Sequence, residues 1–145
     1  FLFHLKSIES NLALEGRDLA ASIIKSNKTD PDLEGIKFKV SDLLKQPNES
    51  DLNKFDIIII IAVLQVFKVE YWVKIFNNIY KMLKKGGFIV NLDGYHNFED
   101  HDFICTTVIP DEELENSVSE ALYVYPSKKK CKKILRSCNF SNINF

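Results

Sequence analysis

The chain has no excess of charge of either sign, no long apolar run, no paired cysteine framework and no internal repeat. Its formal net charge of −1 gives it no general attraction for nucleic acid or an anionic membrane, so the expected partner is a small molecule. The longest apolar run, Ile57 to Leu64, is far below the roughly 20 residues of a membrane-crossing helix. No charged-then-apolar leader opens the sequence, and a soluble protein is expected. Cys105, Cys131 and Cys138 are odd in number and match no zinc-binding spacing, which fits a reducing compartment, the cytoplasm.

With 145 residues, 46% of them apolar, the chain has the length for one domain, residues 1–145, and the composition to bury a core. Strand-like and helix-like periods alternate, the pattern of an α/β sheet covered on both faces. Phe1–Ile8 has helical spacing. Asn11–Glu15 reads as a short strand ending at Gly16, and Asp18–Lys25 as a helix turning Leu19, Ile23 and Ile24 inward. Ile36–Val40 alternates apolar and charged side chains, as a strand with one wet face does.

Five consecutive isoleucines, Ile57–Ile61, follow Phe55-Asp56 and predict a central parallel strand with both faces covered. Glu70–Lys84 is the clearest helix, with Trp72, Ile75, Phe76, Ile79 and Leu83 on one stripe and Gly86-Gly87 available for a left-handed C-terminal turn. Phe88–Leu92 reads as a strand and Asp93–Pro110 as a polar loop. Helices are expected over Asp111–Leu122 and Ser127–Cys138, with Tyr123–Tyr125 extended between them, and Asn142–Phe145 should open a last strand. The basic run from Lys128 to Arg136 is interrupted by Cys131, Ile134 and Leu135, so it reads as the wet face of a helix.

In order, these pieces resemble class I S-adenosylmethionine-dependent methyltransferases. Gly16-Arg17-Asp18-Leu19 with Ile23-Ile24 resembles that family's second strand and helix, and Val40-Ser41-Asp42-Leu43-Leu44 resembles the end of its third strand. Phe55-Asp56 with Ala62-Val63-Leu64-Gln65 resembles the fourth strand and its turn, Gln65 standing where His is frequent. Tyr80 to Val90, with Gly86-Gly87, resembles a helix end, double glycine and fifth strand, Lys85 replacing the usual proline. Ile134-Leu135 through Asn139-Phe140 resembles a late helix and turn, Asn139 replacing glycine but tolerating the left-handed conformation. The resemblance implies a doubly wound, Rossmann-like, mostly parallel sheet. The family's first strand and glycine-rich loop are not matched; with Phe1 opening the chain and Met82 its one methionine, both ends are expected to be cut, the missing strand lying upstream.

Ligands of open α/β sheets bind at the carboxyl ends of the strands. There the resemblance implies that Asp18, beside Leu19, accepts hydrogen bonds from the ribose hydroxyls of S-adenosylmethionine, that Asp42 takes the adenine amino group with Ser41 and Leu43 nearby, and that Ala62, Val63 and Leu64 wall the reacting end. The alternatives are a helix-capping acid for Asp18, a loop acid for Asp42 and core packing for Ala62–Leu64. Methyl transfer needs mostly alignment, with a base where the acceptor must lose a proton. Asp93, Tyr95 and His96 are the candidates, and His96 carries the side chain best suited near neutral pH. Glu99, Asp100, His101 and Asp102 match no metal motif with His96 and read as a solvated acidic loop, so no metal is expected. A non-catalytic domain of the same fold and a nicotinamide-dependent oxidoreductase are the competing readings.

Overall fold

The computed structural model, a mixture of helices and strands, describes residues 1–97, 102–110 and 118–145. Contacts divide it into two compact units, Phe1–Asp42 and Leu43–Phe145.

The first unit contains α1 (Leu2–Ile8), β1 (Glu15–Asp18), α2 (Ala21–Thr29) and β2 (Lys37–Val40). β1 and β2 are parallel, with Gly16 opposite Phe38 and Asp18 opposite Val40. Ile24, Ile36 and Phe38 form its small core, with Leu2, Leu14 and Leu33 packed against them. Two boundaries differ from the sequence reading. The strand runs through Gly16 rather than ending there, because the Phe38 ring lies across that position: a Cβ on Gly16 would sit 2.6 Å from it. The helix begins at Ala21 rather than Asp18, because Asp18 Oδ1 accepts the Ala20 N–H at 2.8 Å and holds a turn there. Leu19 thus precedes the helix and is exposed, as is Ile23, leaving Ile24 as the buried residue of α2.

The second unit contains β3 (Phe55–Ile61), α3 (Val69–Met82), β4 (Leu83–Leu92), β5 (Phe103–Pro110), β6 (Val118–Tyr125) and α4 (Lys128–Ser137). β3 pairs with β4 in parallel, and β5 with β6 antiparallel. Trp72, Ile75, Phe76 and Ile79 of α3 pack with Leu64, Ile60, Cys131, Leu135 and Cys138, so the helical stripe read from the sequence is the core. Trp72 Nε1 donates to the carbonyls of Leu64 at 3.1 Å and Phe67 at 3.2 Å, which satisfies a polar group inside that core. Of the isoleucine run, Ile60 is buried while Ile57 and Ile61 are exposed, so one face of β3 meets this core and the other stays open within the unit.

α3 does not end on the glycines. Its last carbonyls, of Lys81 and Met82, accept the amides of Asn53 at 2.9 Å and Lys54 at 2.8 Å, so no glycine turn is needed to satisfy them. The chain leaves directly into β4, Leu83 opposite Phe55, and the register then slips until Phe88 stands opposite Ile57. Gly86, at φ +84°, makes this irregularity, and a Cβ on Gly87 would lie 2.9 Å from the Asp56 carbonyl oxygen.

Three readings beyond β4 are corrected. The expected loop Asp93–Pro110 contains β5, and the end of the expected helix Asp111–Leu122 belongs to β6; residues 111–117 lie outside the described residues. Eight cross-strand pairs, from Phe103 with Tyr125 to Pro110 with Val118, outweigh the weak local helical spacing. Asn142–Phe145 forms no strand. Asn139 is left-handed at φ +68°, as expected of a glycine substitute. Among the described residues no helix is long and apolar enough to cross a membrane, and all three cysteines are free, Cys131 and Cys138 buried in the core.

Candidate functional site

In the first unit, the parallel pairing of β1 and β2 brings four of the expected residues to one end. Asp18 is the last residue of β1, and its carbonyl accepts the Ser41 N–H at 2.9 Å, just beyond β2. Asp18 and Leu19 are exposed there, with Ser41 and Asp42 half-buried beside them. The bond from Asp18 Oδ1 to the Ala20 amide supports the local turn, yet an exposed carboxylate has more acceptor positions than one bond occupies. An acid presented in this way at a strand's carboxyl end fits a diol such as ribose.

In the second unit, Leu43 is held through its carbonyl by Asn78 Nδ2 at 2.8 Å, and the same amide donates to the Lys45 carbonyl at 2.9 Å. Asn78 is buried on α3. The turn after β3 begins with Ala62, exposed and left-handed at φ +53°, and continues through half-buried Val63 to fully buried Leu64. The Leu64 side chain therefore belongs to the core, the bland alternative for that position; half-buried Val63 packs against that core as well, and Ala62 is the exposed part of the turn.

Asp93 follows β4 and closes over this turn. Its Oδ1 accepts the Gln65 N–H at 3.3 Å, and the amides of Leu64 and Val63 also favour its charge, but burial outweighs them and pushes its carboxyl above the usual range. The other oxygen, Oδ2, is buried without a hydrogen-bond partner. Tyr95 meets the Asn91 amide through its hydroxyl and Phe145 edge-on at 5.2 Å. Burial raises its phenol well above the ordinary value, with the neighbouring Cys131 adding to the shift, and burial likewise pushes the Cys131 thiol up to about 11. Both are neutral at physiological pH. His96 is fixed through its main chain, its N–H donating to the Pro126 carbonyl at 3.4 Å and its carbonyl accepting from the Lys128 amide at 2.9 Å.

The structure thus joins Asp93 to Ala62–Leu64 and groups Tyr95 with Asn91 and Cys131. A cleft of about 960 Å³ runs along β4 and the segment 139–145 and reaches Asp93 and Tyr95, but Ala62–Leu64 and His96 are not among its lining residues. Sequence reasoning missed Asn78 and Asn91. Asn91 is a polar residue in an apolar strand run, and Asn78 lies between Phe76 and Ile79 beside the apolar stripe of α3, signals that could have marked them. Of the acidic loop, Glu99, Asp100 and His101 lie outside the described residues, while Asp102 pairs with Lys130 at 2.5 Å.

Residues 5–91 match the family model of the methyltransferase domain, a span that takes in Asp18, Ser41–Leu43 and Ala62–Leu64. The chain belongs to the methyltransferase-domain family. Solved structures similar to this chain share its Rossmann-like α/β fold. The glycopeptide N-methyltransferase MtfA is 13% identical, with a TM-score of 0.71 over 98% of this chain and 68% of its own. The PH0226 protein of Pyrococcus horikoshii OT3 is 17% identical, with a TM-score of 0.61 over 93% of this chain. CalS10 of Micromonospora echinaspora, an amino pentose methyltransferase solved with S-adenosylmethionine bound, is 10% identical, with a TM-score of 0.64 over 93% of this chain and 69% of its own. The chain spans 66% of the Pyrococcus protein's length, just under two thirds. A search of curated protein sequences returned no match.

Proposed function

We propose that this methyltransferase transfers the methyl group of S-adenosylmethionine to an oxygen or nitrogen of a small acceptor, a sugar or another metabolite. The observation that carries the reading is the family match, because it encloses the acid at the end of β1 and the turn after β3. Sinefungin, S-adenosylhomocysteine and S-adenosylmethionine bound to structural neighbours support the cofactor, and the glycopeptide and amino-pentose neighbours support a small acceptor. The family match also favours methyl transfer over nicotinamide chemistry, which uses a similar acid.

The cofactor supplies a methyl carbon activated by positive sulfur. Asp18 holds the ribose hydroxyls, with Leu19 beside the sugar. Asp42 accepts from the adenine amino group, flanked by Ser41 and Leu43. Ala62 and Val63 form the wall of the reacting end, set by Leu64 anchored in the core, and a dry wall lets an aligned nucleophile react without competing water. Where the acceptor must lose a proton, His96 takes it. Tyr95 presents a neutral hydroxyl and Asp93 lines the same end. Free thiols at all three cysteines suit the cytoplasm.

Calorimetric titration of the full-length protein with S-adenosylhomocysteine and, separately, with NAD tests this reading. Micromolar binding of the first and none of the second is expected, about −8 kcal/mol. Folded protein that binds neither would point to the non-catalytic domain, and binding of NAD alone to the oxidoreductase.

A further inference from the structure

Asp93 is built into the turn after β3 in a way that proton transfer does not require. The turn leaves β3 through Ala62 at φ +53°, a region costly for a residue with a Cβ, and enters a 3-10 turn, Leu64–Val66. The first amides of such a turn have no partner behind them. Asp93 supplies one from 28 residues away, its Oδ1 accepting the Gln65 N–H at 3.3 Å with the amides of Val63 and Leu64 beside it.

We propose that Asp93 is a positioning residue that locks the Ala62–Gln65 turn, and with it the wall facing the methyl donor, rather than the base of the reaction. The proposal rests on the methyl-transfer reading for the identity of what the wall faces. The role needs an oxygen acceptor and not a charge. Oδ1 takes the turn amide while Oδ2 is buried without a hydrogen-bond partner, and the groups around the carboxyl are the Asn91 amide, which favours its charge, the Tyr95 hydroxyl and the Cys131 thiol, none of them a cation. A carboxamide could therefore replace the carboxyl with its oxygen toward the turn, whereas a base could not be replaced in this way.

The test compares the full-length protein with Asp93→Ala and Asp93→Asn by amide hydrogen exchange over residues 62–66 and by S-adenosylhomocysteine titration. Loss of the acceptor in Asp93→Ala should speed exchange in that segment and weaken affinity, each about tenfold, and Asp93→Asn should restore most of both. Unchanged exchange in Asp93→Ala, or no recovery in Asp93→Asn, would overturn the lock. Faster exchange with affinity intact would overturn the positioning role. If the unsubstituted protein binds no S-adenosylhomocysteine, the methyl-transfer reading fails, and the exchange comparison still decides whether Asp93 locks the turn.

Discussion

In Leu43–Phe145, Trp72, Ile75, Phe76 and Ile79 of one helix are each no more than 1% exposed, and Leu64, Cys131 and Cys138 close around them. Phe1–Asp42 buries Ile24, Ile36 and Phe38 and leaves Leu12, Leu19, Ile23 and Val40 exposed. The larger unit builds a deep core on one helix, although Ile57, Ile61, Phe88 and Leu92 stay exposed, and Asn78 and Asp93 fix segments that flank that core. The smaller unit is a short parallel pair that presents two acids, Asp18 and Asp42, where its strands end. Core substitutions should therefore cost more stability in the second unit than in the first, and loss of Asp18 or Asp42 should cost ligand binding.

The largest effect is expected from Trp72→Ala, which removes a fully buried ring and the indole N–H that the Leu64 and Phe67 carbonyls share; denaturant unfolding should show a loss of about 3–5 kcal/mol. Ile24→Ala, in the thinner core, should cost about 2 kcal/mol by the same measurement, because fewer neighbours surround the space left behind. Equal losses for these two variants would break the contrast between the units. Asn78→Ala deprives the carbonyls of Leu43 and Lys45 of one buried donor, and about 1–2 kcal/mol of stability should go with it. The smallest effect concerns pH. Burial raises the Asp93 carboxyl above its unfolded value, so its contribution is fully present below the ordinary carboxylate range and is lost as pH rises through the shifted value. Melting temperature followed across that window should fall more for the unsubstituted protein than for Asp93→Asn, and equal slopes would contradict the assigned burial.

Elements whose pattern is set by local burial were legible in the sequence. The α3 stripe and the isoleucine strand declare themselves through period and β-branching; the structure pairs that strand in parallel with β4 but leaves Ile57 and Ile61 exposed, where both faces were expected to be covered. Features that depend on a distant partner were not legible. Gly86-Gly87 looks like a helix end, but Asn53 and Lys54 had already satisfied the helix carbonyls. β5 and β6 exist through their pairing with each other, and neither segment carries enough alternation to announce it alone. In the candidate site, the acids at strand ends could be named from spacing and resemblance. That Leu64 is core, that Asp93 holds a turn 28 residues earlier, and that Tyr95 shares its surroundings with Cys131 depend on contacts remote in sequence.

The central claim is that the acid closing β1 holds the ribose of the methyl donor, and titrating S-adenosylhomocysteine into full-length protein carrying Asp18→Ala tests it most directly. A loss of at least about tenfold in affinity, some 1.4 kcal/mol, with the melting temperature nearly unchanged is the predicted result. Affinity equal to that of the unsubstituted protein would contradict the account and leave Asp18 as no more than the residue that holds the turn before α2.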